Sequence, residues 1–452
     1  DYVADEGVRS YEYQGMVCDF HDIGQVRTAG TGPRYEYYSL MGSKMWITNG
    51  SLATQFCLFA QTPEGVTGFM VDRHAEGLKV GADERKMGQR GSPTNEISLD
   101  NVRVPREAVI GYEGHGQVNA LETLNVGRCG LAVVAGALGR KLMAEASQAL
   151  PQSEQRDRLL GEAAAIQFGS ESLAYYLIGL FDRPHESVRM ESAIAKYVCS
   201  EDVHEIISLL ERAYGPAGQT EHYLLEKARR DARILNIYEG TNEVQRFLIL
   251  KDLIAQASDW PELPERIFER PLDTAAMMLG KWKNRLRNHA RVARGRLGDA
   301  AWSDAMLQPA LFPLAEMAGE ILRLECALYR REWLEKHGDL LGPAYVKPLI
   351  TAGERAAERA LATLEHLDRV FALAWQQLSR DLDSPEVQAA DAALDRAARK
   401  TQADQEAVGE LATPLRLLSI IRPVAVLSPF PRLDNGSISE LVWEIDPLDR
   451  SG

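Results

Sequence analysis

The stretch Ile-Tyr-Glu-Gly-Thr-Asn-Glu-Val-Gln-Arg at residues 237–246 places a carboxylate at a break just ahead of a new helix. Gly240 frees the backbone for a turn, and Asn242 with Gln245 three positions on reads as a helix N-cap and its return partner. Glu239 therefore stands beside a helix N-terminus, where a Glu can simply favour the positive end of the helix dipole. The same position also suits proton chemistry. An exposed Glu titrates at about pH 4.3 and is a poor base for a carbon acid. Shut away from water beside Ile237 and Tyr238, it would become a stronger base, because desolvation raises its pKa.

Other segments frame this one. Gly-Ser-Lys-Met-Trp-Ile-Thr-Asn-Gly (42–50) reads as a short strand carrying one large indole, Trp46, which taken alone is as consistent with an ordinary core residue. Lys-Met-Gly-Gln-Arg-Gly-Ser-Pro-Thr-Asn-Glu (86–96) and Asp-Asn-Val-Arg-Val-Pro-Arg-Glu (100–107) follow, and Arg-Arg-Asp-Ala-Arg-Ile (229–234) leads into the Glu239 segment. In order and spacing these pieces resemble the flavin-facing strand, second β-domain signature and catalytic-base loop of the acyl-CoA dehydrogenases, over roughly residues 23–258.

The resemblance implies FAD-dependent removal of two hydrogens across the α,β carbons of an acyl-CoA thioester in fatty-acid β-oxidation. Glu239 would take the α-proton while the β-hydride passes to N5 of FAD. Glu239's own N–H would help hold the thioester carbonyl, stabilising the enolate as an oxyanion hole does. Trp46 would stack near the flavin ring with Ile47 beside it, and Thr48 would donate to the flavin's polar edge. Thr241 would reach the flavin or its diphosphate, with Glu243 where many members carry Gln. Tyr238 and Gly240 would flank the base against substrate, Asn125 would lie near the CoA pantetheine, and Arg128 near the catalytic pocket; a structural salt bridge is Arg128's plainer role. Arg90 and Ser92 match a signature whose role is mainly structural. Electron-transferring flavoprotein is the expected acceptor and a homodimer the expected assembly.

The sequence departs from the family at three places. Residues 17–22 read Val-Cys-Asp-Phe-His-Asp where the family carries a Thr-Glu-Pro-x-Ala-Gly-Ser-Asp loop. The Arg-x-Gln-Phe-Gly element is missing after Ala146, and Gln167-Phe168-Gly169 resembles it only in letters. Pro216, within Arg212 to Pro216, removes a backbone donor where the family has a second glycine. These departures leave open an alternative: a flavin-poor subunit, or a non-enzymatic scaffold, of a hetero-oligomer of the same type.

The expected fold class is α+β, mostly α. A middle β domain (1–112) with antiparallel strands shows in Gln55–Ala60, a turn at Thr62–Gly65, and Val66–Val71. A four-helix-type domain (113–257) follows a flexible glycine joint at Gly111, Gly114 and Gly116, with Leu121, Leu124, Leu131 and Val134 at helical spacing. Ile194, Val198, Val203, Ile206 and Leu210 continue that pattern. A Pro-rich break at 258–264 precedes an appended helical domain (265–452), whose stripe is Leu361, Leu364, Leu367 and Phe371; His366 lies off it as a core-edge or interface residue. Within the resemblance such a tail marks the very-long-chain branch, as does Leu-Asn-Val-Gly-Arg at 124–128.

The chain's formal net charge of -14 argues against a nucleic-acid surface, which needs clustered cations. Five scattered cysteines fit reduced thiols and offer no metal-site spacing. A bacterial cytoplasm is the expected compartment, with the mitochondrial matrix as alternative. No transmembrane helix is expected, since uninterrupted apolar runs are too short. Leu415–Phe430 reads as packed core or interface, with peripheral membrane contact as its alternative.

Overall fold

The computed structural model describes residues 37–181, 188–256, 274–298, 300–304 and 307–382, with three short strands before them. The expected break at 258–264, most of the 17–22 loop and the 415–430 segment lie outside the described residues.

Strands β1 (Glu12–Tyr13) and β2 (Met16–Val17) pair as a small ribbon. The main sheet is built from β3 (Gly24–Ala29), β4 (Tyr37–Thr48), β5 (Gln55–Thr62), β6 (Gly65–Asp72), β7 (Leu78–Val80), β8 (Thr94–Pro105) and β9 (Val109–Ile110), in the order β7-β8-β4-β3-β5-β6-β9. Its pairs are antiparallel except β3 with β5, which run parallel. Alternating residues Tyr38 and Leu40, Phe56 and Leu58, and Phe69 and Val71 fill one core face, as the two-residue strand period requires. Residues 42–48 are thus the far end of a twelve-residue strand rather than a short strand of their own. The alternation at Tyr38 and Leu40 extends it backwards.

The joint after the sheet is tight rather than flexible. A Cβ on Gly116 would stand 2.8 Å from the backbone of Thr67 and Gly68, and Gly114 N donates to Thr67 Oγ1 at 2.8 Å. These glycines let the sheet and the first helix touch backbone to backbone.

Nine helices follow among the described residues: α1 (Gly116–Ala149), α2 (Glu154–Phe181), α3 (Arg189–Tyr214), α4 (Leu224–Ala232), α5 (Asn242–Ala255), α6 (Thr274–Leu297), α7 (Ala300–Ser303), α8 (Gln308–Leu341) and α9 (Pro343–Leu382). By length and apolarity alone α1 could cross a membrane, yet its Leu131, Ala132, Ala135 and Leu142 pack into the helical core. Val134 does not join them. It lies exposed with Val126 and Val133, because the buried face of α1 is narrower than its apolar composition suggests.

One apolar cluster runs from α1 through α3 (Ile194, Val198, Val203, Ile206, Leu210) and α5 into α8 and α9, where Leu364, Leu367 and Phe371 are buried. Ion pairs stitch the later helices to the earlier ones: Arg323 to Asp202 (2.7 Å), Arg330 to Glu171 (3.1 Å), Arg246 to Glu316 (3.0 Å) and Arg359 to Glu205 (2.5 Å). His366 is exposed on α9.

Candidate active site

The chain between α4 and α5 tightens into a 3-10 turn over Arg233–Asn236 and then reverses. The cap of α5 differs from the sequence reading. Thr241, in extended conformation, is the N-cap, its side chain accepting from Val244 N at 3.4 Å, and Asn242 is the first helical residue. Asn242 is taken up by the core instead: it donates to Ser200 Oγ (3.0 Å) and Glu201 Oε1 (2.6 Å), and accepts from Lys196 Nζ (2.8 Å). Gln245 reaches back as expected, but to the carbonyls of Glu239 (3.1 Å) and Gly240 (2.9 Å) rather than to a cap amide.

Glu239 adopts the left-handed conformation, φ 58°, and Gly240 follows at φ 87°. For a residue with a side chain this costs about 1–3 kcal/mol and persists only where the surroundings impose it. Three buried side chains do so. Arg128 Nε and Gln245 Nε2 donate to Glu239 O at 3.3 and 3.1 Å, and Gln245 and Lys196 donate to Gly240 O at 2.9 and 2.8 Å.

The turn delivers the Glu239 carboxylate against α1. A Cβ on Gly127 would lie 2.7 Å from its Cδ and Oε2 and 2.8 Å from Oε1, so only glycine leaves the carboxylate this seat. Oε2 is shut off from solvent. Next along α1, Arg128 is 2% exposed, and its Nη1 donates to Asn125 Oδ1 (3.1 Å), which also accepts from Ser192 Oγ (3.2 Å). Glu239, Tyr238, Gly240, Arg128 and Asn125 thus form one constellation.

A loop of the β domain closes on the same place. Gly88 presses against the backbone of Arg230 and Asp231, Gln89 N donates to Asp231 Oδ1 (2.5 Å), and Gln89 Nε2 donates to Tyr238 Oη (3.4 Å). Burial pushes the Tyr238 phenol up, with Gln89 acting the other way. Arg90 Nε donates to Lys86 O (2.8 Å) and Ser92 O accepts from Lys86 Nζ, contacts that shape the loop. Asn49 N donates to Pro93 O (2.9 Å) and Thr48 pairs with Thr94, so the end of β4 abuts the loop that touches Tyr238.

On that end Ile47 packs toward the sheet core while Trp46 and Thr48 are exposed. Any contact that Ile47 makes with a cofactor would come from its backbone. Trp46 is 58% exposed at φ 61°, within a bulge between Lys44 and Ile47. Five described residues other than glycine have positive φ: Trp46, Asn49, Gln89, Asn101 and Glu239. Asn adopts this region more readily than Trp, Gln or Glu do; Glu239 is the candidate base itself, and Gln89 touches Asp231 and Tyr238 beside it.

Thr241 caps α5 and Glu243 lies in its first turn. Burial disfavours the charged Glu243 carboxyl, but its own amide, the Thr241 hydroxyl, Arg246 and Lys196 together hold it below the usual range. Three contributors were missed by sequence reasoning: Gly127, Gln89 and Lys196. Only Lys196 carried a signal, as a lysine inside the short apolar run Ala193, Ile194, Ala195, Tyr197 and Val198.

Residues 21–102 match the family model for the acyl-CoA dehydrogenase middle domain and residues 114–254 that for its C-terminal domain. This part of the chain, sheet and first helices together, belongs to the acyl-CoA dehydrogenase family. Among its relatives, the very long-chain specific acyl-CoA dehydrogenase of Mus musculus is 31% identical over 296 residues, 61% of this chain and 45% of that protein. Cyclohexane-1-carbonyl-CoA dehydrogenase of Geobacter metallireducens is 30% identical over 251 residues (52% of this chain, 66% of that protein), and the 3-(aryl)acrylate reductase of Clostridium sporogenes 32% over 247 (52% and 65%). The chain spans just under half the length of the very long-chain relatives it matches. A Bacillus anthracis acyl-CoA dehydrogenase, solved in complex with FAD, shares the fold over 89% of this chain and 72% of its own at TM-score 0.64 and 22% identity.

Proposed function

We propose that this chain is the catalytic part of an FAD-dependent acyl-CoA dehydrogenase, in which Glu239 removes the α-proton of a long-chain acyl-CoA thioester. The observation that carries this reading is the Glu239 turn: a strained, left-handed carboxylate, held by three buried donors and seated against a glycine. Such strain, stored at one carboxylate in a family whose reaction removes a proton from carbon, supports its use as the base.

The side chains around it suit that step. Oε2 is already buried, and substrate would complete the desolvation that a carboxylate base for a carbon acid needs. Arg128, which donates to Asn125, would order the surroundings of the base, with Tyr238 and Gly240 its neighbours in the chain. Glu239's N–H is the donor this reading assigns to the thioester carbonyl, where it would stabilise the enolate. The exposed indole of Trp46 and hydroxyl of Thr48 offer a stacking surface and a polar contact beside the loop that touches Tyr238, a donor set that fits a flavin ring. Thr241 and Glu243 would border it. FAD bound there would supply the hydride acceptor.

Preference for long acyl chains, electron-transferring flavoprotein as acceptor, a homodimeric state and a bacterial cytoplasmic setting belong to the same proposal. Of these, the preference for long acyl chains is supported by the very long-chain relatives and by the helices α6–α9. Glu239→Gln tests the core of it. The variant should keep its fold and its flavin while turnover of acyl-CoA is lost by about three orders of magnitude or more. Substantial residual dehydrogenation would assign the base to another group.

A further inference from the structure

The side chain that the proposed chemistry leaves unexplained is Lys196. It lies in the N-terminal third of α3 at 0% exposure, between Ala195 and Tyr197 and within the helical core. An ammonium taken fully out of water costs several kcal/mol unless its surroundings compensate, and an apolar residue would fill this place in the core at no such cost. Two of its contacts are the Gly240 carbonyl and the Asn242 side-chain oxygen, both at 2.8 Å, one on each side of Thr241. Gly240 O, turned into the protein by the left-handed pair at 239 and 240, receives Gln245 as well. A charged donor holds such a carbonyl more strongly than a neutral one.

We propose that Lys196 is a positioning residue: its buried ammonium clamps both ends of the Gly240–Asn242 segment and so fixes the left-handed turn that sets where the Glu239 carboxylate stands. The inference rests on the reading of Glu239 as the base. Arg128 and Gln245 hold Glu239 O from the side of α1 and α5, and Lys196 holds the turn from α3, so three helices converge on two carbonyls. The same helix is anchored six residues further on, where Asp202 accepts from Arg323 of α8 at 2.7 Å. The Lys196 clamp therefore stands on a braced element.

The test uses the full chain with and without FAD, comparing Lys196→Met with Lys283→Met, which removes an equally buried cation between α6 and α8, far along the sequence from the turn. Hydrogen exchange of the peptide spanning 237–246 gives a readout independent of turnover. Lys196→Met should accelerate exchange there by roughly tenfold or more relative to Lys283→Met. In the flavin-loaded protein it should lower kcat by a similar factor with KM within about twofold, and Lys196→Arg should recover part of both. If Lys196→Met does not fold, Lys196→Gln, which keeps a donor without the charge, is read by the same criteria. Exchange at 237–246 no faster than in Lys283→Met, or kcat per bound flavin unchanged, would overturn the proposal and leave Lys196 an ordinary buried cation. Turnover surviving in Glu239→Gln would instead overturn the assignment of the base, and the exchange comparison would still decide whether Lys196 holds the turn.

Discussion

Gly127→Ala separates stability from chemistry at this site. The added Cβ would stand 2.7 Å from the Glu239 Cδ and Oε2, whereas ordinary contact begins at 3.4 Å, so the carboxylate must retreat by about 0.7 Å or rotate away. The atoms that give way are the far end of a flexible side chain, so the fold pays little. Helix propensity favours alanine over glycine by up to about 1 kcal/mol in mid-helix, and the melting temperature should stay level or rise. A base displaced by most of an ångström loses alignment with the α-proton, and misplacements of about 1 Å can cost on the order of a hundredfold, or about 2.7 kcal/mol of barrier. Stability and activity should thus move in opposite directions. Steady-state kcat with a saturating long-chain acyl-CoA and an artificial electron acceptor, beside calorimetric melting, reads both. Gly295→Ala, on α6 with open space around it, is the control that should gain stability alone. A Gly127→Ala enzyme with kcat within about threefold of the parent would refute the view that the seat against α1 is the reacting position of Glu239.

Further outcomes follow from the packing. Lys283 contacts both oxygens of Glu325 at 2.7 Å with both side chains fully buried, so Lys283→Met should destabilise the chain by about 3–5 kcal/mol; Lys283→Met/Glu325→Met should recover much of that in chemical denaturation. Asp368 accepts from Arg285 (2.5 Å) and contacts His289 (2.7 Å) across α6 and α9; burial works against its charge, but these two partners hold its carboxyl below the usual range. A depressed carboxylate stabilises the fold above its unfolded pKa, and that contribution is lost as pH falls through the folded value. Asp368→Asn should therefore cost about 1 kcal/mol or less at pH 7, a gap that narrows as pH falls below the unfolded carboxylate range, measured as melting temperature against pH. A constant gap across that range would contradict the ion-pair origin.

Much of the fold was legible because it follows from periodicity. The stripe Leu364, Leu367 and Phe371 and the α3 positions from Ile194 to Leu210 are buried where a 3.6-residue period puts them. The hairpin of β5 and β6 turns at Thr62 and Gly65 as its turn formers indicated. Glu239 was legible as a carboxylate ahead of a helix, since Gly240 announces a reversal. Its left-handed backbone was not, because strain is imposed by tertiary donors, Lys196 and Arg128, that lie 44 and 111 positions before the carbonyls they hold. The cap was misassigned to Asn242 for a related reason: Ser200, Glu201 and Lys196 compete for its side chain from α3, and Thr241 takes the local role. The glycines before α1 looked flexible in sequence but serve close backbone approach, which only the docked sheet reveals.

The measurement that bears most directly on the central claim is the visible spectrum of the purified chain, before and after FAD, and then on anaerobic addition of a long-chain acyl-CoA. A bound flavin band that bleaches with acyl-CoA in the parent, and persists in Glu239→Gln, is the expected result. A chain that retains no flavin, or whose bound flavin is indifferent to acyl-CoA, would contradict the catalytic reading and favour a role as the flavin-poor subunit of a larger assembly.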